Sequence, residues 1–156
     1  MAIDLLRTNS ENADFRELVR LLDAELAIRD GDEYSFYAQF NKLDAIREVV
    51  VAYENEQPIG CGALKEYESG VAEIKRMFVR PESRNRGIAG EILSELEAWA
   101  KELNFVECRL ETGLKQPEAV HLYQKSGYEL ISNYGQYAGV ENSVCMKKKL
   151  DWKQNS

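Results

Sequence analysis

Arg84-Asn-Arg-Gly-Ile-Ala89 decides the fold of this chain, because it lies where an apolar strand hands over to an amphipathic helix. The run before it, Val71–Val79, is rich in β-branched and other apolar residues. The run after it, Glu91–Leu103, carries Ile92, Leu93, Leu96, Trp99, Ala100 and Leu103 at helical spacing. A helix that begins here presents unsatisfied backbone N–H groups and partial positive charge in its first turn. Gly87 and Gly90 remove side chains where an anion would approach the backbone, and Arg84 and Arg86 add two positive charges beside it. With Asn85, Ile88 and Ala89 completing the bend, the stretch reads as a seat for phosphate, and a pyrophosphate would suit it.

Two familiar phosphate-binding turns do not fit. No Gly-x-Gly-x-x-Gly follows the strand, as a dinucleotide turn requires, and no Gly-Lys-Ser/Thr completes a nucleoside-triphosphate loop. At 156 residues with 44% hydrophobic content, the chain is long enough to bury a core as one domain, residues 1–156. The formal net charge of −7 argues against nucleic acid as a partner and suits a cationic substrate. No run approaches the length of a membrane span, and the N-terminus lacks the basic-then-apolar pattern of a secretion signal. No membrane partner is expected, and the expected compartment is the cytoplasm. Cys61, Cys108 and Cys145 are odd in number, widely spaced and set in strand-like runs, which suits reduced, buried thiols. With His121 as the only histidine, no metal site is expected.

The remaining pattern alternates strands and helices without a linker or repeat. Ile3–Arg7 reads as a strand, and Asn12–Ala27 as a helix with Phe15, Leu18, Val19, Leu22 and Leu26 on its apolar stripe. Glu33–Asn41 reads as a short second helix. Arg47–Tyr53, a turn at Glu54–Pro58, Ile59–Lys65, a turn at Ser69-Gly70 and Val71–Val79 form a meander that Pro81 ends. After the long helix come a strand at Phe105–Glu111, a helix at Pro117–Lys125 with proline near its start, and strands at Tyr128–Ser132 and Ser143–Leu150. The order β-α-α-β-β-β-α-β-α-β-β implies an α/β fold, a mixed sheet with helices on both faces.

The phosphate bend in this setting, together with Ala119-Val-His-Leu-Tyr-Gln-Lys-Ser-Gly-Tyr128, resembles the GCN5-related N-acetyltransferase (GNAT) family, in its bacterial small-molecule branch. The resemblance runs from about Val49 to Leu150. It implies a mostly antiparallel sheet splayed between Val71–Val79 and Phe105–Glu111, and acetyl-CoA as the donor. In the family the pantetheine arm pairs with main chain on the strand before the phosphate loop, here Met77, Phe78 and Val79. A backbone N–H at a bulge in that strand polarises the thioester carbonyl, a role falling to Met77 or Phe78. The Ala-x-x-Leu-Tyr-x-Lys-x-Gly-Tyr/Phe pattern is met by Ala119, Leu122, Tyr123, Lys125, Gly127 and Tyr128. It makes Tyr123 the candidate proton donor to the departing thiolate. Where members often have a cofactor-contacting asparagine ahead of this helix, this chain has Lys115-Gln-Pro-Glu118, with Gln116 as the substitute.

An alkylamine with a pKa near ~10.4 is protonated at neutral pH, so transfer to it needs a base. Glu73 is the candidate. It lies eleven positions before Arg84, the spacing of the catalytic glutamate in the histone-modifying branch. Glu111 is the alternative base, and a plain structural reading pairs Glu73 with Lys75, Arg76 or a cross-strand cation. The resemblance places acceptor walls in the first two helices and the last loop. Tyr34 and Tyr37, then Tyr134 and Tyr137 of Asn133–Gly139, would form an aromatic slot. Asp30, Asp32 and Glu33 would give it an acidic rim, Glu111 would be among the substrate-binding residues, and Arg76 or Arg47 would receive a carboxylate. The expected partner is a small-molecule amine, with a homodimer left open. Against this enzyme stand two alternatives, an idle acyl-CoA-binding or regulatory module and a protein or peptide acetyltransferase.

Overall fold

The computed structural model describes residues 2–30, 46–114 and 116–150. The expected helix at Glu33–Asn41, with Tyr34 and Tyr37, lies outside the described residues. Seven strands, β1 (Asp4–Thr8), β2 (Glu48–Glu54), β3 (Gln57–Glu68), β4 (Val71–Val79), β5 (Glu107–Gly113), β6 (Glu129–Ile131) and β7 (Ser143–Lys149), form one sheet in the order β1-β2-β3-β4-β5-β7-β6. The helices are α1 (Ala13–Asp30), α2 (Ile88–Glu102) and α3 (Pro117–Lys125). The pairs β1/β2, β2/β3, β5/β7 and β6/β7 are antiparallel. β4 and β5 run parallel, which requires a crossover connection, and α2 supplies it. Their register covers only Val71–Glu73 against Glu107–Arg109.

The chain divides into two compact units, Met1–Lys65 with Lys75–Leu96, and Glu66–Ile74 with Glu97–Ser156. In the first, β2 and β3 are apolar on both faces, because each face carries a helix. Phe15, Leu18, Val19 and Leu22 of α1 pack on Val49, Val51, Cys61, Ala63 and Phe78. Side chains alternate along a strand, so Gly60 and Gly62 point to the opposite face. A Cβ on Gly62 would come within 2.9 Å of Ile92 and Leu96 of α2. The two glycines let that helix lie close on the sheet.

In the second unit β7 pairs with both β5 and β6, α3 lies on β5, and Tyr134, Tyr137 and Cys145 form a cluster with Tyr67 and Ile131 against it. Tyr128 donates to Glu97 at 2.9 Å, and Lys148 bonds the same carboxylate at 2.9 Å. Several boundaries differ from the sequence reading, two of them for reasons of backbone conformation or helix start. β3 begins at Gln57, because Asn55 and Glu56 both take left-handed backbone (φ 52° and 67°) and close a two-residue hairpin turn. Pro58 is tolerated at the adjoining register shift near Ala52 and Tyr53. α2 begins at Ile88, which places Gly90 inside its first turn.

Candidate functional site

The phosphate bend belongs to the first unit. β4 ends at Val79, a 3-10 turn covers Pro81–Ser83, and left-handed backbone at Asn85 (φ 65°) and Gly87 (φ 79°) swings the chain into α2. The Glu91 N–H already bonds the Gly87 carbonyl at 3.1 Å, while the N–H groups of the preceding first-turn residues have no acceptor within the helix. A Cβ built on Gly87 or on Gly90 meets nothing within 4 Å. The first turn therefore presents bare backbone donors at the positive end of a 15-residue helix.

The two arginines behave differently from their sequence reading. Arg84 donates from Nε to the Val79 carbonyl and from Nη2 to Glu25 of α1, both at 2.8 Å, and lies over the Phe78 ring. Arg86 makes a two-pronged pair with Glu54, with Nη1 at 3.0 Å, which holds that carboxyl below its ordinary range. Each guanidinium thus already has a carboxylate partner, so the seat relies more on backbone donors than on two uncompensated charges. No local sequence pattern points to Glu25 or Glu54, because their contacts lie 59 and 32 positions away.

Along β4, Met77 is half-buried while Phe78 and Val79 are buried. Arg76 has left-handed backbone in mid-strand (φ 62°), an irregularity just ahead of Met77 and Phe78. Its side chain, 2% exposed, turns to Asp23 of α1 with Nη1 at 3.3 Å, and burial raises the Asp23 carboxyl against the opposing pull of Arg76. The sequence reading gave Arg76 to an acceptor's carboxylate; the structure gives it to α1 and to a different unit from Glu111, Tyr134 and Tyr137.

The second unit gathers the groups suited to proton transfer. Glu73 is 6% exposed, and its Oε2 accepts the Tyr134 hydroxyl at 2.8 Å. Tyr134 is thus a partner of Glu73 that the sequence reading did not name. Tyr123 is buried on α3, edge-on to Tyr128 with centroids 5.9 Å apart. Burial, then the Glu111 charge, raise its phenol well above the ordinary tyrosine range. Burial, Glu111 and Glu73 do the same to Tyr137. Tyr134 and Tyr137 are packed cluster residues rather than open slot walls, 8% and 3% exposed. Arg109 escaped the sequence reading. It lies opposite Glu73 in the β4/β5 register, and the alternation Glu107-Cys-Arg109-Leu-Glu111, charges on one face, was the available signal. Gln116 stands at the start of α3 with no side-chain cap.

The three cysteines are free and buried; burial pushes Cys61 and Cys108 up to about 12 and Cys145 up to about 11, the opposite of nucleophile activation. Among the described residues no group of three or more His, Cys, Asp and Glu is placed to hold a metal ion. No described helix is long and apolar enough to cross a membrane.

Comparison with known proteins gives the site its context. Residues 14–128 match the Acetyltransferase (GNAT) family. The chain is 34% identical to an IAA acetyltransferase of Azospirillum brasilense over 65% of this chain and 67% of that one. Among solved structures it is similar to a Klebsiella pneumoniae protein assigned as an acyl-CoA N-acyltransferase, with 27% identity, TM-score 0.80, and 96% and 98% of the two chains covered. It also shares the fold of the PaiA N-acetyltransferase of Thermoplasma acidophilum, solved in complex with coenzyme A, with 22% identity, TM-score 0.70 and 96% and 99% coverage. A family match over residues 14–128, on a mostly antiparallel seven-stranded sheet, establishes that the chain belongs to the acetyltransferase (GNAT) family and is an acyltransferase.

Proposed function

We propose that this protein transfers the acetyl group of acetyl-CoA to the amine of a small molecule, such as an amino acid or a polyamine. The observation that carries the donor half is the first turn of α2, where left-handed Asn85 and Gly87 and the bare Gly87 and Gly90 leave backbone N–H groups open to a pyrophosphate. Arg84, Asn85, Arg86, Gly87, Ile88, Ala89 and Gly90 are assigned to the cofactor's phosphates, and the main chain of Met77, Phe78 and Val79 to its pantetheine arm. That the Thermoplasma protein of the same fold was solved with coenzyme A supports the choice of cofactor.

In the reaction, the amine first loses a proton to Glu73. Its neutral nitrogen then attacks the thioester carbon, the C–S bond breaks, the sulfur leaves with a proton from Tyr123, and the second proton that the nitrogen sheds as the amide forms restores the phenol through solvent. Burial keeps the Tyr123 phenol protonated at neutral pH, so the proton is in place before the thiolate forms. Left-handed Arg76 supports the assignment of a backbone N–H at Met77 or Phe78 to the thioester oxygen. Glu111, whose charge reaches both Tyr123 and Tyr137, is the alternative base.

Calorimetry with coenzyme A tests the donor half. Micromolar-range binding that Gly87→Asp abolishes is expected, and no heat from the parent protein at high cofactor concentration would remove the assignment. Release of free thiol from acetyl-CoA, measured against amino acids, polyamines and arylalkylamines, tests the acceptor class. Acetylation confined to peptides would overturn it.

A further inference from the structure

One buried hydrogen bond in the second unit has a fixed direction and ends on the carboxylate assigned as base. Tyr134, in the connection between β6 and β7, donates its hydroxyl to Oε2 of Glu73 at 2.8 Å, and both side chains are buried. An ionised carboxylate can only accept. Burial and the Glu73 charge raise the Tyr134 phenol well above the ordinary tyrosine range, so the proton stays on the tyrosine at any working pH.

The donor is itself held on several sides. The Tyr67 ring meets Tyr134 edge-on at 5.0 Å and 76°, and the Tyr137 ring at 5.7 Å and 85°. The Arg109 guanidinium lies 5.3 Å from the Tyr67 centroid and 5.1 Å from that of Tyr134. Arg109 is fixed in turn by Glu107, whose Oε2 accepts from its Nε at 2.9 Å and its Nη2 at 2.6 Å. Phenylalanine would fill the same ring space at position 134; the hydroxyl adds the bond to Glu73.

We infer that Tyr134 is the positioning residue for Glu73, its hydroxyl fixing the carboxylate in place and in its charged form, while Arg109, set against the rings of Tyr67 and Tyr134, holds the tyrosine to that bond. This rests on the assignment of Glu73 as base and replaces the reading of Tyr134 as an acceptor wall. Among the described residues, the charged and titratable groups near Glu73 include Tyr134 and Tyr137 from the β6–β7 connection, Cys145 from β7, Arg109 and Glu111 from β5, and Lys75 and Arg76 next on β4. Arg76 turns to Asp23, and Tyr137 and Cys145 stay neutral because burial raises both.

The test is a carbon-13 titration of protein labelled at the glutamate side-chain carboxyls, with the Glu73 signal identified by its loss in Glu73→Gln. Tyr134→Phe keeps the ring and should keep the fold, which a melting curve verifies. It removes a hydrogen bond to a charged group, so the Glu73 midpoint should rise by about one to two pH units. Arg109→Lys keeps the charge but loses the planar fork, and should move the midpoint the same way by less. A Tyr134→Phe midpoint equal to the parent's overturns the inference, and an unmoved Arg109→Lys midpoint removes Arg109 from it. The base assignment is tested apart, by pH–rate profiles with spermidine and lysine as acceptors. If Glu73→Gln runs parallel to the parent while the Tyr134→Phe midpoint still rises, the base reading falls and the positioning of the carboxylate stands.

Discussion

Gly90→Ala separates the stability of the α2 turn from its capacity to hold an anion, because the two should move in opposite directions. Gly90 lies in the first turn of α2, its φ is outside the left-handed region, and a Cβ there meets nothing within 4 Å. An alanine costs no contact and relieves the entropy penalty of a helical glycine, worth roughly 0.5–1 kcal/mol. For a chain of this size that is a rise in Tm of about 1–4 °C. The same methyl group would occupy the space assigned to a phosphate oxygen. Losing one charge-assisted hydrogen bond, about 1.5–3 kcal/mol, weakens coenzyme A about 10- to 150-fold. Gly87→Ala is the control. At φ 79° its side chain carries left-handed strain of roughly 1–2 kcal/mol, so stability and affinity should fall together. Thermal melting and calorimetry on both variants give the four numbers. A Gly90→Ala protein that melts higher and binds coenzyme A as tightly as its parent would show that no phosphate rests on this turn.

Four further outcomes are expected. Tyr123→Phe should keep coenzyme A affinity while turnover falls by about two to four orders of magnitude, the range for a lost general acid; equal turnover would return Tyr123 to packing alone. Glu73→Gln should depress kcat/KM most at low pH and recover partly as alkaline pH deprotonates the amine unaided, and a flat mutant-to-parent ratio would pass the role to Glu111 or water. Glu25→Gln removes the carboxylate that Arg84 now faces, so coenzyme A should bind up to about fivefold tighter at low salt, with the gain fading at high salt. Burial raises the Cys61 and Cys108 thiols from 9.0 to about 12, so between those values the folded chain holds protons that the unfolded chain has lost. Their contribution to stability is therefore complete below about pH 9 and declines as pH rises toward 12. A urea midpoint that stays level across that window would contradict it.

The sequence discloses what is punctuated locally and hides what is paired at a distance. β4 and α3 have the bounds read from the sequence, Val71–Val79 and Pro117–Lys125, because Gly70 and Pro81 frame one and Pro117 and Gly127 frame the other. The phosphate bend is readable for the same reason: the special backbone falls on Asn85 and Gly87, residue types that favour it. Arg76 shows the limit. An arginine is a poor candidate for φ 62°, and no residue-level rule places an irregularity there; its buried pair with Asp23 lies across 53 positions. Proton chemistry lies further still from view. Glu73 and Tyr134 are 61 positions apart, and their bond exists because β4 pairs with β5, β5 with β7 and β7 with β6, so that the loop after β6 returns over the start of β4. Sequence spacing found the two ends of that bond as separate candidates, a base and an acceptor wall. Once the sheet joins them, the tyrosine hydroxyl is already bonded to the glutamate, and under the proposed reading acceptor selectivity falls to side chains other than Tyr134.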